Sequence, residues 1–361
     1  MKNAYGEFMR DKLIPEPAQL RYKLDKNLYM VPQIENKKVG RNHIERILEM
    51  DANAVFKGKS TSLKGFMMSN EFAHFGGNIR SFTSDIERRK DLRFLCLMYV
   101  GKSFNHLEAP YRNPDLSFLV IMSRLNIFAL IMEELTGKKT KVTVATENGL
   151  FDRCVLGTSA KKSGMMVLQA KKLARIFGFD SIEFKPLSIF LPKNFAHLVE
   201  EEFDRLTAVS VSKENKEFRE VFDTFLLSFP TKSFRQAVLI YSDMEKHKKI
   251  DQWAFDASLK YLAFTKARYN FGFWERLADS YIRSSLSPKS GIVNFKYNTG
   301  RVTPPHGVAV IEKERINTEH FYDLVKLHRD GGMSLFKFNN MPFFFWSSPK
   351  GKMSIYNRSI L

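Results

Sequence analysis

The sequence predicts an α/β protein with a Rossmann-like, mainly parallel central sheet flanked by helices. The first observation is an alternation of strand and helix patterns at residues 92–99 (strand), 114–136 (helix), 142–146 (strand), 163–177 (helix) and 180–187 (strand). An order of β-α-β-α-β is typical of a doubly wound sheet with right-handed crossovers. The second observation is the apolar run at 92–99, in which Arg93 is the one charged residue. Such runs are typical of strands buried on both faces of a parallel sheet.

Both helix patterns carry boundary signals. Asn113-Pro114 supplies an N-cap and a first-turn proline for the first helix, and Gly137 follows its last apolar residue. Gly178 closes the second helix in the same way. Helices begin and end at such residues. The apolar stripe of the first helix is broad, so we expect this helix to be largely buried.

The last hundred residues predict antiparallel C-terminal strands at the edge of the sheet. Short strand patterns lie close together at 280–287, 291–297 and 307–311, and such close spacing is typical of antiparallel pairs. Residues 318–328 predict a helix, and residues 333–346 predict an aromatic strand pair.

The same patterns predict the domain organisation. Residues 1–80 are polar, rich in lysine and irregular, with a short helix at 42–50 and a loop at 69–84, so we interpret them as a variable N-terminal extension. Residues 81–361 are interpreted as a single Rossmann-like domain. Residues 194–275 are mainly helical in pattern and predict a helical insertion that packs over the sheet.

The chain is strongly basic, with 57 Lys and Arg against 39 Asp and Glu and a net charge of +18. Such a charge suits a nucleic-acid binder, a membrane-surface protein or an enzyme for anionic substrates. The basic residues are spread along the chain, and the sequence has no zinc-ligand spacing, RNA-binding signature or helix-turn-helix pattern. A nucleic-acid partner therefore ranks behind an enzyme for anionic substrates.

Three features predict a soluble, cytoplasmic protein. The first residues, MKNAYGEFMRDK, contain no apolar signal segment. Two cysteines do not make a disulfide framework, which favours a reducing compartment. The longest apolar stretch, 116–135, carries Ser123, Arg124 and Asn126 near its middle, so we expect no membrane span.

A polar loop follows the buried strand at 92–99. Gly101 permits a sharp turn, and Lys102 and Ser103 then stand at the carboxyl end of the strand. Ligand sites of open α/β sheets lie outside the carboxyl ends of the strands. The alternative is a plain strand-to-helix loop with one exposed lysine, since the glycine pattern of a P-loop is lacking.

Two more segments carry candidate functional residues. The strand at 142–146 is followed by Glu147, Asn148 and Asp152, which place two carboxylates and an amide beside the Lys102 loop. The alternative here is a tight Asn-Gly turn. His306 lies between two prolines and a glycine, directly before a strand pattern. A rigidly held histidine suits proton transfer, and the alternative is a surface histidine in a proline turn.

Four stretches, taken in order, resemble motifs of the isonitrile synthase family. That family includes the enzymes at the start of pyoverdine-cluster isonitrile and spore-wall dityrosine biosynthesis. The stretches are VGKSFN at 100–105 with Pro114-Asp115, TENG at 146–149 with Phe151 and Asp152, IRSSLSP at 282–288, and TPPHGV at 303–308. The resemblance spans about residues 85–312.

The chain departs from the family pattern at three points. Asn148 or Glu147 stands where the second motif has Asp, Ser287 stands where the third has His, and Pro305 stands where the fourth has Trp. These departures bear on substrate choice and on activity itself.

The resemblance implies a catalytic domain over 81–361 that uses neither a cofactor nor a metal. It implies condensation of L-tyrosine or L-tryptophan with ribulose 5-phosphate, in which the amine becomes an isonitrile. It also implies an iron- and 2-oxoglutarate-dependent oxygenase as a possible pathway partner. The implied catalytic residues are Lys102, His306, Glu147 and Asp152, and the implied substrate- and phosphate-binding residues are Lys102, Ser103, Asn105, Arg283 and Ser285.

Two further hypotheses remain open. Ser287 in place of a histidine suggests a divergent family member that makes an N-formyl amino acid or uses a non-aromatic amino acid. The net charge suggests a non-enzymatic, basic nucleic-acid-binding protein.

Overall fold

The structure is a computed structural model of the 361-residue chain. It describes residues 35–56, 62–69, 73–75, 79–100, 113–156, 160–208, 250–285, 293–295, 307–312, 315–319 and 333–347.

The helices and strands follow in chain order. They are β1 (Glu35–Lys38), α1 (Arg41–Val55), α2 (Leu63–Ser69), β2 (Ala73–Phe75), α3 (Ile79–Arg88), β3 (Leu92–Met98), α4 (Leu116–Thr136), β4 (Thr140–Thr146), α5 (Asn148–Phe151), a π-helix (Asp152–Leu156), α6 (Ala160–Ile176), β5 (Ile182–Pro186), a 3-10 helix (Leu187–Phe190), α7 (Phe195–Ala208), α8 (Ile250–Asn270), α9 (Phe273–Leu277), β6 (Ile282–Ser285), β7 (Val293–Phe295), β8 (Val308–Glu312), β9 (Arg315–Glu319), β10 (Met333–Phe338) and β11 (Met341–Ser347).

The predicted Rossmann-like class is confirmed. Within the described residues the central sheet has the strand order β2-β7-β6-β3-β4-β5. Strands β7, β6, β3, β4 and β5 are mutually parallel, and β2 pairs antiparallel with β7 at the edge. The predicted β-α-β-α-β order is found from β3 to β5.

The direction of winding reverses between β3 and β6. From β3 the chain adds β4 and β5 on one side, and it later adds β6 and β7 on the other. In open α/β sheets, ligands bind outside the carboxyl ends of the strands at such a switch point. These ends are Met98 of β3 and Ser285 of β6.

The predicted antiparallel C-terminal strands are found, but in a second sheet and not at the edge of the central one. β6 and β7 instead lie inside the central sheet and run parallel to their neighbours β3 and β6, with buried residues in both strands. The antiparallel pairs β8–β9 and β10–β11 belong to a second sheet with the order β1-β10-β11-β8-β9.

The predicted helix at 318–328 is wrong at its start. Residues 315–319 form β9, in which Ile316 and Thr318 are buried on one face, the two-residue period of a strand. The rest of that prediction lies outside the described residues.

The short helix predicted at 42–50 is found within the longer α1, but the described part of residues 1–80 is otherwise more regular than expected. Helix α1 buries Ile44, Ile47 and Leu48, whose spacing places them on one helical face. The strand β1 pairs with β10 in the second sheet. The expected loop at 69–84 contains β2 and most of α3. The division of the chain at residue 80 stays a prediction.

Helix α4 is the central core helix. It contacts β4 and β5 of the central sheet on one side and β8, β9 and β11 of the second sheet on another, which explains its burial all round. By length and composition it is the one helix, in the part of the chain described, that could span a membrane, but 83% of its apolar window is buried inside the protein. It is therefore the core helix of an α/β protein.

The two faces of the central sheet pack against different layers. Phe94 and Cys96 of β3 belong to the core cluster that contains α4, α1 and the second sheet. Leu95 belongs to the cluster formed with α7, α8 and α9. Helices α7 and α8 fall within the predicted helical insertion, and α9 extends two residues beyond it; the bounds of 194–275 stay a prediction.

Candidate active site

The structure describes four of the predicted site residues and places them at the carboxyl half of the central sheet. Glu147 directly follows β4, and its backbone N–H donates to Met98 O at the end of β3, at 3.3 Å. Asp152 begins the π-helix that follows β4 and α5. Arg283 and Ser285 belong to β6. The predictions for Lys102, Ser103, Asn105 and His306 lie outside the described residues.

Arg283 lies on the sheet face that is covered by α8 and α9. It pairs in register with Leu95, which packs on that layer. Its guanidinium group stacks over the Trp274 ring, 4.8 Å from the centroid. Its Nε atom is buried without a hydrogen-bond partner, and no described carbonyl or carboxylate accepts from the group. A half-buried guanidinium with unused donors is a ready ligand for an oxyanion.

Two neighbouring charges act on Arg283. Burial lowers its pKa, the positive charge of Arg268 lowers the pKa further, and Glu275 opposes both effects. Because two cations side by side raise each other's free energy, this part of the site favours a negative ligand.

Glu147 and Arg268 form an ion pair across the sheet face. Arg268 Nη1 donates to Glu147 Oε1 at 2.7 Å, and both side chains are largely buried. Arg268 projects from the C-terminal turn of α8 and also lies near the rings of Phe264 and Phe273. Since Arg268 acts on both Glu147 and Arg283, these three residues form one electrostatic cluster.

Asp152 is tied to Tyr99. The Tyr99 hydroxyl donates to Asp152 Oδ1 at 2.8 Å, and the carboxylate residue is only 4% exposed. Tyr99 directly follows β3, and its ring meets that of Phe151 edge to face. A π-helical turn is rare and frequently marks a functional site. This turn carries Asp152 to the end of the switch-point strand.

Asn148 joins the segments that follow β3 and β4. It is fully buried, and its Oδ1 accepts from the backbone N–H of Val100 at 2.9 Å. Its Nδ2 has no hydrogen-bond partner in the part of the chain that the structure describes. A carboxylate at this position could accept the same hydrogen bond but, when ionised, could not donate one.

Cys96 is not a nucleophile in this arrangement. It lies on the other face of β3, fully buried, and burial followed by the charge of Glu147 raises its pKa, while a hydrogen bond with Ser284 opposes the shift. The thiol therefore stays protonated, and Cys96 packs as a small buried hydrophobic residue.

Three residues of the site were not predicted: Tyr99, Arg268 and Trp274. Arg268 and Trp274 lie in a helical segment that is rich in aromatic residues. The spacing of these residues does not tell core packing from ligand binding, so it gave no reason to select either one. Tyr99 had a usable signal. Tyr99 lies two residues after Leu97 and four after Leu95, so the alternation of a strand places its side chain on the same face of the sheet.

Comparisons with known proteins support the fold. No family model and no curated protein matches the chain. The crystal structure of the PvcA protein from Pseudomonas aeruginosa matches with a TM-score of 0.57 at 14% sequence identity. The match covers 92% of this chain and 99% of that chain. The match therefore supports the α/β fold found in the described residues.

Proposed function

We propose that the protein is an enzyme of the isonitrile-synthase type, which condenses L-tyrosine or L-tryptophan with ribulose 5-phosphate and converts the amine to an isonitrile. The observation that carries the proposal is the grouping of Glu147, Asp152 and Arg283 beside the switch point between β3 and β6. The four motifs that resemble the isonitrile synthase family and the likeness to the PvcA fold support it.

The charges of the site suit the proposed substrates. Arg283 offers unused donors to a phosphate or carboxylate group, and guanidinium groups bind such oxyanions with paired hydrogen bonds. Glu147 offers a carboxylate to the substrate ammonium group. The carboxylate of Asp152 acts through the Tyr99 hydroxyl. This hydroxyl can accept a proton from the substrate while it donates the hydroxyl proton to Asp152.

The remaining roles fall to residues that adjoin described ones in the sequence. Lys102 follows Val100 by two residues, and His306 immediately precedes Gly307. We assign Lys102 and His306 to polarising the sugar ketone and moving protons as the amine nitrogen attacks, water leaves and an imine forms. Ser103, Asn105 and Ser285 complete the proposed substrate contacts.

A mass-spectrometric screen tests the proposal. Purified protein is incubated with ribulose 5-phosphate and each amino acid in turn. An isonitrile product has gained one carbon and lost two hydrogens relative to the amino acid, whereas an N-formyl product has gained one carbon and one oxygen. The second outcome would establish the divergent alternative suggested by Ser287. No one-carbon gain with any amino acid would reject both.

Matched variants link the product to the site. Arg283→Met removes the free guanidinium and should abolish product formation. Arg276→Met removes an exposed arginine from the neighbouring helix α9 and should leave it unchanged. Lys102→Ala should abolish turnover with the fold intact, and undiminished turnover would end its assignment.

The proposal extends to the setting of the reaction. We propose that the enzyme works in the cytoplasm and that an iron- and 2-oxoglutarate-dependent oxygenase consumes the isonitrile. A gene for such an oxygenase beside the gene for this protein is the expected finding. Conversion of the purified product by that oxygenase is the direct test.

A further inference from the structure

Arg268 and Arg283 stand on adjoining aromatic rings. Arg268 lies over the Phe273 ring at 5.9 Å and Arg283 over the Trp274 ring at 4.8 Å. The two rings meet edge to face with centroids 4.9 Å apart. The two guanidinium groups therefore come from different elements, α8 and β6, and are held by one pair of neighbouring residues in α9.

Among the described residues, a carboxylate pairs directly with only one of the two guanidinium groups. Arg268 donates to Glu147, whereas Arg283 has a buried Nε without an acceptor. Glu275 also faces Arg283 and acts on it through its charge, but its side chain is exposed and accepts no hydrogen bond from Arg283. The formal charges of Arg268, Arg283, Glu147 and Glu275 sum to zero, and Glu147 is the carboxylate that competes directly with an incoming anion for Arg268.

We propose that Arg268 and Arg283 jointly bind one phosphate-type dianion and that this dianion replaces Glu147 as the partner of Arg268. A phosphoryl group has three oxygens and two negative charges, which suits two forked donors. The single carboxylate of Glu147 pairs with only one of them.

This exchange deepens the proposed function by giving the sugar phosphate a second arginine and giving Glu147 a conditional role. While Arg268 holds Glu147, the carboxylate is engaged. Once the dianion binds, Glu147 is released to accept a proton from the ammonium group of the amino acid, which leaves the amine lone pair free for attack. The sugar phosphate therefore binds before the amine is activated.

Calorimetric titration with inorganic phosphate, in the absence of amino acid and sugar, tests the anion site independently of turnover. The titration is run at a pH at which phosphate is a dianion. The wild type should bind one phosphate, and Arg268→Met and Arg283→Met should each weaken binding about tenfold or more, the effect of losing a charged hydrogen bond. Arg276→Met, an exposed arginine stacked on Phe271, should bind as the wild type does.

Phosphate titration of Glu147→Gln tests whether phosphate replaces Glu147 as the partner of Arg268. Loss of the competing carboxylate should make phosphate bind several times more tightly. Unchanged or weaker binding in Glu147→Gln would overturn the exchange, and unchanged binding in Arg268→Met would remove Arg268 from the site. Circular dichroism of each variant, together with Arg268→Lys and Arg283→Lys, checks that losses do not come from unfolding.

A titration with acetate distinguishes a phosphate site from a carboxylate site. Acetate should bind far more weakly than phosphate, because it carries one charge and two oxygens. Acetate binding as tight as that of phosphate would overturn the assignment to a phosphate. Because these titrations need no catalysis, phosphate binding without product formation would refute the proposed function alone, and product formation without loss of binding in the arginine variants would refute this inference alone.

Discussion

At the residue scale, the ion pair between Arg124 and Asp51 is buried, so both of its charges are removed from water. Arg124 Nε and Nη2 donate to the two carboxylate oxygens at 2.7 and 2.6 Å, with side-chain exposures of 6% and 9%. The pair joins α4 to α1. We expect Asp51→Asn to lower the free energy of unfolding by about 3–5 kcal/mol, because it leaves a buried charge uncompensated. Urea denaturation measures this loss.

A surface pair on the same helix is the matched control. Arg41 and Glu45 of α1 form an exposed i,i+4 ion pair at 2.7 Å. Glu45→Gln should change the free energy of unfolding by less than about 1 kcal/mol, since exposed pairs contribute little. Equal losses in Asp51→Asn and Glu45→Gln would show that burial does not set the cost.

Tyr99 makes a second residue-scale prediction. Tyr99→Phe keeps the ring contact with Phe151 but removes the hydroxyl that joins the site to Asp152. We expect kcat/KM to fall on the order of a hundredfold, the size of a lost proton-transfer group, with little change in the thermal unfolding midpoint. Tyr269→Phe, at a position that is 77% exposed, is the control and should retain full activity. Full activity in Tyr99→Phe would remove the hydroxyl from the mechanism.

Glu183 gives stability a dependence on pH. Burial opposes its ionisation, but hydrogen bonds from Lys185 and Thr143 outweigh burial and hold its pKa below the ordinary value. A lowered pKa in the folded state stabilises the protein above the unfolded pKa of about 4.3, and this contribution is lost as pH falls through the folded value. Glu183→Gln should therefore be less stable than the wild type at neutral pH. Denaturation at a series of pH values should show the difference vanish in acid.

At the element scale, Asp115 fixes α4 to the second sheet. One carboxylate oxygen accepts from the N–H groups of Ser117 and Phe118 at the start of α4, and the other accepts from Ala309 N–H of β8 at 3.2 Å. Asp115→Ala removes a cap worth about 1 kcal/mol and leaves a buried strand N–H unpaired at about 1–3 kcal/mol.

We therefore expect Asp115→Ala to lower the free energy of unfolding by about 2–4 kcal/mol. Ser62→Ala removes an exposed contact of the hydroxyl with Gly65 N–H at the start of α2 and is the matched control, with an expected loss of about 1 kcal/mol. Denaturant titration of both variants provides the measurement. Similar losses in the two would mean that the contact with β8 contributes nothing.

Elements with strong local signals could be predicted, whereas their neighbours in space could not. The apolar run of β3 and the stop of α4 at Gly137 are local, so both elements were found within a few residues. The predicted cap was wrong by two residues, because Asp115 and not Asn113 caps the helix. The place of β6 beside β3 depends on Ile282 packing next to Phe94, a contact between residues nearly two hundred positions apart. The strand β9 was missed for a different reason: it follows its partner β8 after only two residues, but a strand of five residues carries little pattern.

The candidate site shows the same limit. Glu147 and Asp152 were found because they follow a recognisable strand, and Arg283 because it lies in a family-like motif. Arg268 is a single arginine in the last turn of a long helix, and its value comes from the tertiary fold that sets it against Glu147. A functional residue at the end of a strand can thus be predicted from the local sequence, but the residue that forms its ion pair cannot.

At the scale of the whole molecule, the two sheets and the helices between them explain why so apolar a helix as α4 belongs to this chain. Helix α4 packs against a sheet on two sides. A helix with apolar residues on one face only would therefore bury polar side chains against one of the sheets. The other layer, α7 to α9, covers the opposite face of the central sheet and carries the charged cluster. The core and the candidate site are therefore built on opposite faces of β3.

The net charge of +18 belongs to the whole molecule and suits both the proposed enzyme and a nucleic-acid binder, but the two differ in how they respond to salt. A basic surface raises the encounter rate with anionic substrates, and salt screens it. We expect the KM for ribulose 5-phosphate to rise with NaCl while kcat stays constant, because binding rather than chemistry depends on long-range attraction. A nucleic-acid binder would instead be retained on DNA, with a logarithmic salt slope of about 0.9 for each phosphate contacted. Retention with a slope of several contacts, and a KM indifferent to salt, would show that the charge serves nucleic acid and not a sugar phosphate.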